Sequence, residues 1–101
     1  MIHPIYRATF CRALSAYKLE LHFNDGESRI VDLEPVLAGA LYGPLRDQAV
    51  FSQVRLDEET GVPVWPNGAD FDPAILHDWN LHLPNFVKAA DNWRRQAATA
   101  A

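Results

Sequence analysis

Tyr17, Leu19, Leu21 and Phe23 alternate with Lys18, Glu20, His22 and Asn24, and the run ends in Asn24-Asp25-Gly26. Patterning with period 2 marks a strand with one buried face. The residues that follow Phe23 combine two turn-favouring side chains with a glycine free to take positive φ. A three-residue loop with Gly26 in the left-handed region sets Leu19 opposite Val31, Tyr17 opposite Leu33 and, on the other face, Lys18 opposite Asp32. A two-residue Asp25-Gly26 turn would instead set Leu21 opposite Ile30 and Leu19 opposite Asp32, an acid among apolar neighbours. The three-residue register is therefore expected.

Other segments must cover the apolar face of that hairpin. Ile5 to Phe10 is compatible with a first strand. Pro35 suits the first turn of a short helix over Val36 to Ala40, where its missing N–H is not needed. Pro44-Leu45-Arg46-Asp47 leads into a second short helix, with Asp47 as its N-cap and Val50 and Phe51 turned inward. Val54 and Leu56 alternate with Gln53, Arg55 and Asp57 as a fourth strand. After the polar Glu58-Glu59-Thr60-Gly61, Val62-Pro63-Val64-Trp65 reads as a short return strand, with Pro63 placing it at an edge. Trp65-Pro66-Asn67-Gly68 has the chemistry of a tight turn. Asp72 and Pro73 start a helix with Ile75, Leu76 and Trp79 at helical spacing. A last helix is predicted from about Pro84, with Phe86, Val87, Ala90, Trp93 and Ala97 on one apolar stripe, and the tail Ala97-Ala98-Thr99-Ala100-Ala101 is expected to fray. The predicted class is α+β: a small, mostly antiparallel sheet of about five strands, short helices and a C-terminal amphipathic helix.

At 101 residues and 49% hydrophobic, the chain can bury one modest core. A net charge of -4 gives no global positive field toward phosphate backbones or anionic lipid, so nucleic-acid binding is not expected. The single Cys11 forms no internal disulfide, which suits a reducing cytoplasm. Met1-Ile2-His3-Pro4-Ile5-Tyr6-Arg7 lacks the layout of a signal peptide, and no apolar run approaches the roughly 20 residues that span a bilayer. A soluble, cytoplasmic protein is expected.

Leu21, Phe23, Asp25 and Gly26, then Asp32-Leu33, Pro44-Leu45-Arg46-Asp47 with Phe51, and Val64-Trp65-Pro66-Asn67-Gly68-Ala69-Asp70 follow one another in an order and spacing that resembles a bacterial domain family of unknown function, DUF2442. The resemblance runs from Tyr17 to about Leu76. It implies a DUF2442-like α+β domain over residues 1–80, with residues 81–101 as a helical extension of the same domain. Some family members look like modules joined to a helix-turn-helix. Others lie beside a second small protein in a layout similar to toxin–antitoxin pairs. The roughly 20 residues after Asn80 are too few for a helix-turn-helix with its supporting helices. The resemblance carries over no catalytic residue.

Several constellations bear on chemistry. Asp70 and Asp72, with His77 on the next helix, resemble the donors a hard divalent metal uses, but a helix cap and a turn acid explain the two aspartates. His77 and His82 stand five apart, off the four-residue spacing of zinc ligands on a helix, and no cysteine pair completes a set. His3 and His22 read as surface residues. Cys11 beside Arg12 reads as a small buried residue rather than a nucleophile. No phosphate loop or nucleophile elbow is present. Lys88, Trp93, Arg94 and Arg95 read as an ordinary solvated face. No cofactor and no metal are expected.

The leading expectation is a non-enzymatic interaction module, with Trp79, Phe86, Val87, Ala90 and Trp93 as the contact surface, and either a protein encoded nearby or a second copy as partner. The antitoxin-like member of a two-gene system is one form of it. The alternatives are a small metal-dependent enzyme using Asp70, Asp72 and His77, and a DNA-binding regulator acting as a dimer. Asn24, Asp25 and Gly26, with Trp65, Pro66, Asn67 and Gly68, are expected as structural turns.

Overall fold

The hairpin lies within a three-stranded antiparallel sheet in the computed structural model, which describes residues 5–99. The expectations for His3 and for the last two residues of the tail lie outside the described residues. Strands β1 (Ala8–Ala13), β2 (Lys18–Phe23) and β3 (Ser28–Asp32) stand in that order, and β2 and β3 pair with Leu19 opposite Val31 and Lys18 opposite Asp32. This is the three-residue register. Phe23 N–H donates to Glu27 C=O (2.9 Å), Gly26 N–H donates to Phe23 C=O (3.1 Å), and Gly26 sits at φ 87°. The pairing leaves Leu19, Leu21, Phe23, Val31 and Leu33 at most 3% exposed on the core face. Full burial of each such side chain contributes about 1.5–3 kcal/mol.

β1 begins three residues later than predicted, because Ile5-Tyr6-Arg7 is held by the turn instead. Asn24 Nδ2 donates to Ile5 C=O (2.9 Å), and its Oδ1 accepts the Arg7 N–H (3.0 Å). Ala16 and Tyr17, in the β1–β2 connection, take positive φ of 59° and 62° without being glycine. Tyr17 C=O accepts the Leu33 N–H (3.0 Å), as the predicted placement of Tyr17 opposite Leu33 requires.

The described residues contain five strands, arranged in two sheets. β4 (Arg55–Asp57) and β5 (Val62–Val64) form a separate antiparallel pair. Each is only three residues long, and Pro63 withholds the N–H that a third strand would need. The two sheets meet where Ala8 N–H donates to Gly61 C=O (2.9 Å). Gly61, at φ 71°, lies so close to Arg7 that an added Cβ would stand 2.6 Å from the Arg7 Cβ.

Short helices link the sheets. A 3-10 turn (Glu34–Val36) precedes α1 (Gly39–Tyr42), and a second (Gly43–Arg46) precedes α2 (Gln48–Phe51). Asp47 caps α2 by accepting the Ala49 N–H (2.9 Å), as Asp72 caps α3 (Pro73–His77) through the Ala74 N–H (2.8 Å). The turn at Trp65-Pro66-Asn67-Gly68 repeats the bonding of the first hairpin. Gly68 N–H donates to Trp65 C=O (3.0 Å) and Trp65 N–H to Ala69 C=O (2.9 Å). Trp65 is 1% exposed and donates its indole N–H to Phe51 C=O (2.8 Å) beneath Phe71.

The last helix, α4 (Trp79–Thr99), starts five residues before the predicted Pro84. Leu81 and His82 N–H groups bond to Asp78 C=O and form the first turn there, so Pro84 falls inside the helix and leaves Asn80 C=O without its usual donor. The expected division at residue 80 lies within this first turn.

Candidate functional site

The α3–α4 joint carries the one buried charged or polar residue among those described, His77, at 8% exposure. α3 ends on it, and Asp78 breaks the helix with φ −107° and ψ 40°. His77 Nε2 lies 2.7 Å from Asp25 Oδ2 in the hairpin turn, and Nδ1 lies 2.9 Å from Asp78 Oδ1. The Tyr6 ring stacks on the imidazole with centroids 3.8 Å apart, and Phe23 meets it edge-on at 4.9 Å. Arg29 Nε donates to His77 C=O (3.3 Å), and Arg29 also pairs with Glu27 at 3.0 Å.

Burial disfavours charge on His77, but its bonds to Asp78 and Asp25 outweigh that cost and hold the imidazole above its ordinary 6.5. Asp25 is held below the usual carboxylate range, first by the Glu27 N–H and, against its partial burial, by His77. With a carboxylate on each ring nitrogen, His77 has no free lone pair to take a substrate proton. The group is a clamp between the hairpin turn and the joint.

Beside the clamp, β3 and the joint enclose an open cleft of about 490 Å³, lined by Arg29, Ile30, Val31 and the segment from His77 to Leu81. β3 is the outer strand of its sheet, so one side has no partner strand among the described residues. Antiparallel pairing with Leu19–Val31 and Leu21–Arg29 as hydrogen-bonded pairs turns the backbone N–H and C=O of Ser28, Ile30 and Asp32 to that side. Two large apolar side chains flank the cleft in the open, Ile30 at 64% and Leu81 at 74% exposure.

Of the residues expected as a contact surface, Trp79 and Ala90 are buried, and Phe86, Val87 and Trp93 are half-buried. Trp79 (6% exposed) and Ala90 (0%) belong to the chain's own core, and the Trp79 ring packs on Phe71 and Phe86. Phe86 and Val87 are half-buried against the same cluster, and Trp93 covers Gly39 and Tyr42. The Trp79 indole N–H is buried with no acceptor among the described residues. Asn67 Nδ2 donates to Leu41 C=O (2.8 Å), so the second turn also ties down a helix.

Asp70, Asp72 and His77 are not brought together. Asp72 caps α3, Asp70 lies by β5 and His77 turns to the hairpin; among the described residues no group of three His, Cys, Asp or Glu could hold a metal. Cys11 is half-buried, and burial pushes its thiol up; His22 lies on the opposite face of the sheet, opposite Phe10. Arg94 is bonded to Asp91 and to Pro35 C=O, and Arg95 to Asn92, which ties the basic end of α4 locally. No described helix is long and apolar enough to cross a membrane. Two contributors lay beyond sequence reasoning: Tyr6, and Asp25 as a partner of His77. Ile30 had a visible signal, since the register that buries Val31 turns Ile30 outward between Ser28 and Asp32.

These elements define a small α+β domain of two antiparallel sheets, in which a turn-to-joint clamp borders a free strand edge. The chain belongs to the DUF2442 family, a protein family of unknown function whose model matches residues 11–82. The match includes the hairpin, the Trp65-Pro66-Asn67-Gly68 turn, and both Asp25 and His77. No curated protein and no solved structure matches the chain.

Proposed function

We propose that this chain is a non-enzymatic protein-interaction module whose docking surface is the free edge of β3 with its cleft. The carrying observation is that an unpaired strand edge is flanked by two large exposed apolar side chains, Ile30 and Leu81. An extended segment of another protein chain adds to such an edge through main-chain hydrogen bonds, while side-chain pockets set its specificity. The clamp supports this reading, since His77 spends both nitrogens on holding the cleft wall in place. A partner encoded beside the chain, as in an antitoxin-like pair, and a second copy both fit this mode. A reducing cytoplasm suits the free Cys11 thiol.

The test is the size of the complex formed by the full chain, alone and co-expressed with the product of its adjacent gene, for wild type, Ile30→Lys and Leu81→Glu. The expected result is a complex in the wild type that both substitutions weaken at least tenfold without lowering Tm. A complex that both variants retain, or no complex in either wild-type sample, refutes the reading.

A further inference from the structure

β3 reads Ser28-Arg29-Ile30-Val31-Asp32, with Ile30 at its centre. Laid antiparallel on itself about Ile30, the strand sets Ile30 against Ile30 of the second copy, Ser28 against Asp32 and Arg29 against Val31. The three residues whose backbone groups face outward, Ser28, Ile30 and Asp32, are then the ones placed opposite one another, so their N–H and C=O groups are exchanged in pairs across the seam once Arg29 Nη1 releases the Ser28 C=O that it holds at 2.9 Å. No like charges come opposite each other. The Ser28 hydroxyl meets the Asp32 carboxylate, and the exposed isoleucines meet each other. The alternative centred on Arg29 sets the two arginines opposite each other, and the one centred on Val31 sets Ile30 against Asp32 and leaves the isoleucines unmatched.

We propose that the occupant of the β3 edge is a second copy of this chain, paired antiparallel about Ile30 into a continuous six-stranded sheet of order β1-β2-β3-β3-β2-β1. This rests on the interaction reading above and names its partner. The two-fold axis runs through the Ile30 pair, perpendicular to the sheet, so both core faces lie on the same side. The two clefts then abut beneath the seam, which brings the exposed Leu81 of each copy toward the shared interior. The interface is isologous and closes at two copies. A five-residue edge with one apolar side chain from each joint is small against the roughly 800 Å² per partner of a standard interface. The dimer is therefore expected to be weak and transient.

Sedimentation equilibrium of the full chain over roughly 1 µM to 1 mM tests this, together with amide exchange at Ile30. The wild type is expected to move from monomer to dimer, with the Ile30 amide slowing as the dimer fills. Ile30→Lys, at a site 64% exposed, is expected to stay folded and weaken the dimer at least tenfold. Leu41→Lys, at a site 45% exposed on α1 and away from the edge, is expected to dimerise like the wild type. A wild type that stays monomeric throughout, or an Ile30→Lys chain that dimerises equally well, overturns the proposal. If a monomeric wild type protects its Ile30 amide only when co-expressed with its neighbouring gene product, self-pairing fails while the interaction reading stands. If that amide stays open in both samples, both fail.

Discussion

Replacing Gly61 with alanine tests the contact that joins the two sheets. Gly61 sits at φ +71°, and an added Cβ would stand 2.6 Å from Arg7 Cβ and 3.0 Å from its Cα. A left-handed backbone costs a residue with a Cβ about 1–2 kcal/mol. Forcing a methyl group against the Arg7 backbone adds about 1–3 kcal/mol of overpacking, since main chain cannot swing aside as a side-chain tip does. Relief requires β1 to move off the β4–β5 loop, which stretches the 2.9 Å bond from Ala8 N–H to Gly61 C=O. Gly68 supplies the control: it sits at φ +89°, and nothing lies within 4 Å of an added Cβ. Gly68→Ala should therefore cost only the backbone term, about 1–2 kcal/mol. Urea unfolding of both variants should show Gly61→Ala less stable than Gly68→Ala by about 1–3 kcal/mol. In a domain of this size each 1 kcal/mol moves Tm by about 4–8 °C. Equal losses in the two variants would refute the close approach of β1 to the loop.

Three further outcomes follow from other parts of the fold. Ala16→Gly relieves a left-handed residue at φ 59° and should raise stability by about 0.5–1 kcal/mol after the glycine's unfolded-state entropy is counted, as read from urea midpoints. Trp65→Phe removes the buried donor to Phe51 C=O, leaving it only the long 3.4 Å bond from Val54 N–H, and should cost about 1–3 kcal/mol in the same assay. The His77 clamp makes stability depend on pH: His77 is raised, so its contribution is complete below 6.5 and fades as pH climbs through the folded-state value, while Asp25 is lowered, so its contribution is complete above 3.8 and fades in stronger acid. Unfolding free energy followed from pH 5 to 9 should fall in the wild type and flatten in His77→Gln; parallel curves would refute the clamp.

The hairpin was legible to the residue because two independent signals agreed, the alternation from Tyr17 to Phe23 and the glycine at the third loop position. Asp47 and Asp72 were legible as caps for a similar reason, an acid placed directly before a short helix. Pro84 misled, since a proline suits a first helical turn but is also tolerated in the second when the turn before it is already formed from Asp78. The division into two sheets was hidden because Pro63 marks an edge without saying which strands share its sheet, and the contact of Gly61 with Arg7 and Ala8 that joins the two sheets links residues far apart in sequence. Trp79, Ala90 and Trp93 form a helical stripe whichever chain they cover, and only the fold assigns Trp79 and Ala90 to the chain's own core and leaves Trp93 half-buried. The clamp had no local sign either, as Asp25 is fully explained as a turn residue until His77, 52 positions later, is brought to it.

That separation sets an order of events. The hairpin needs only neighbouring residues and closes in microseconds. At ordinary synthesis rates His77 follows Asp25 off the ribosome by roughly 3–10 s. Throughout that interval the Asp25 carboxylate serves the turn alone, through the Glu27 N–H. Its second bond arrives only with the docking of α3. In order of synthesis the turn's own bonds come within reach first, and the bond that fastens the turn to the wall beside the β3 edge only after α3 has followed.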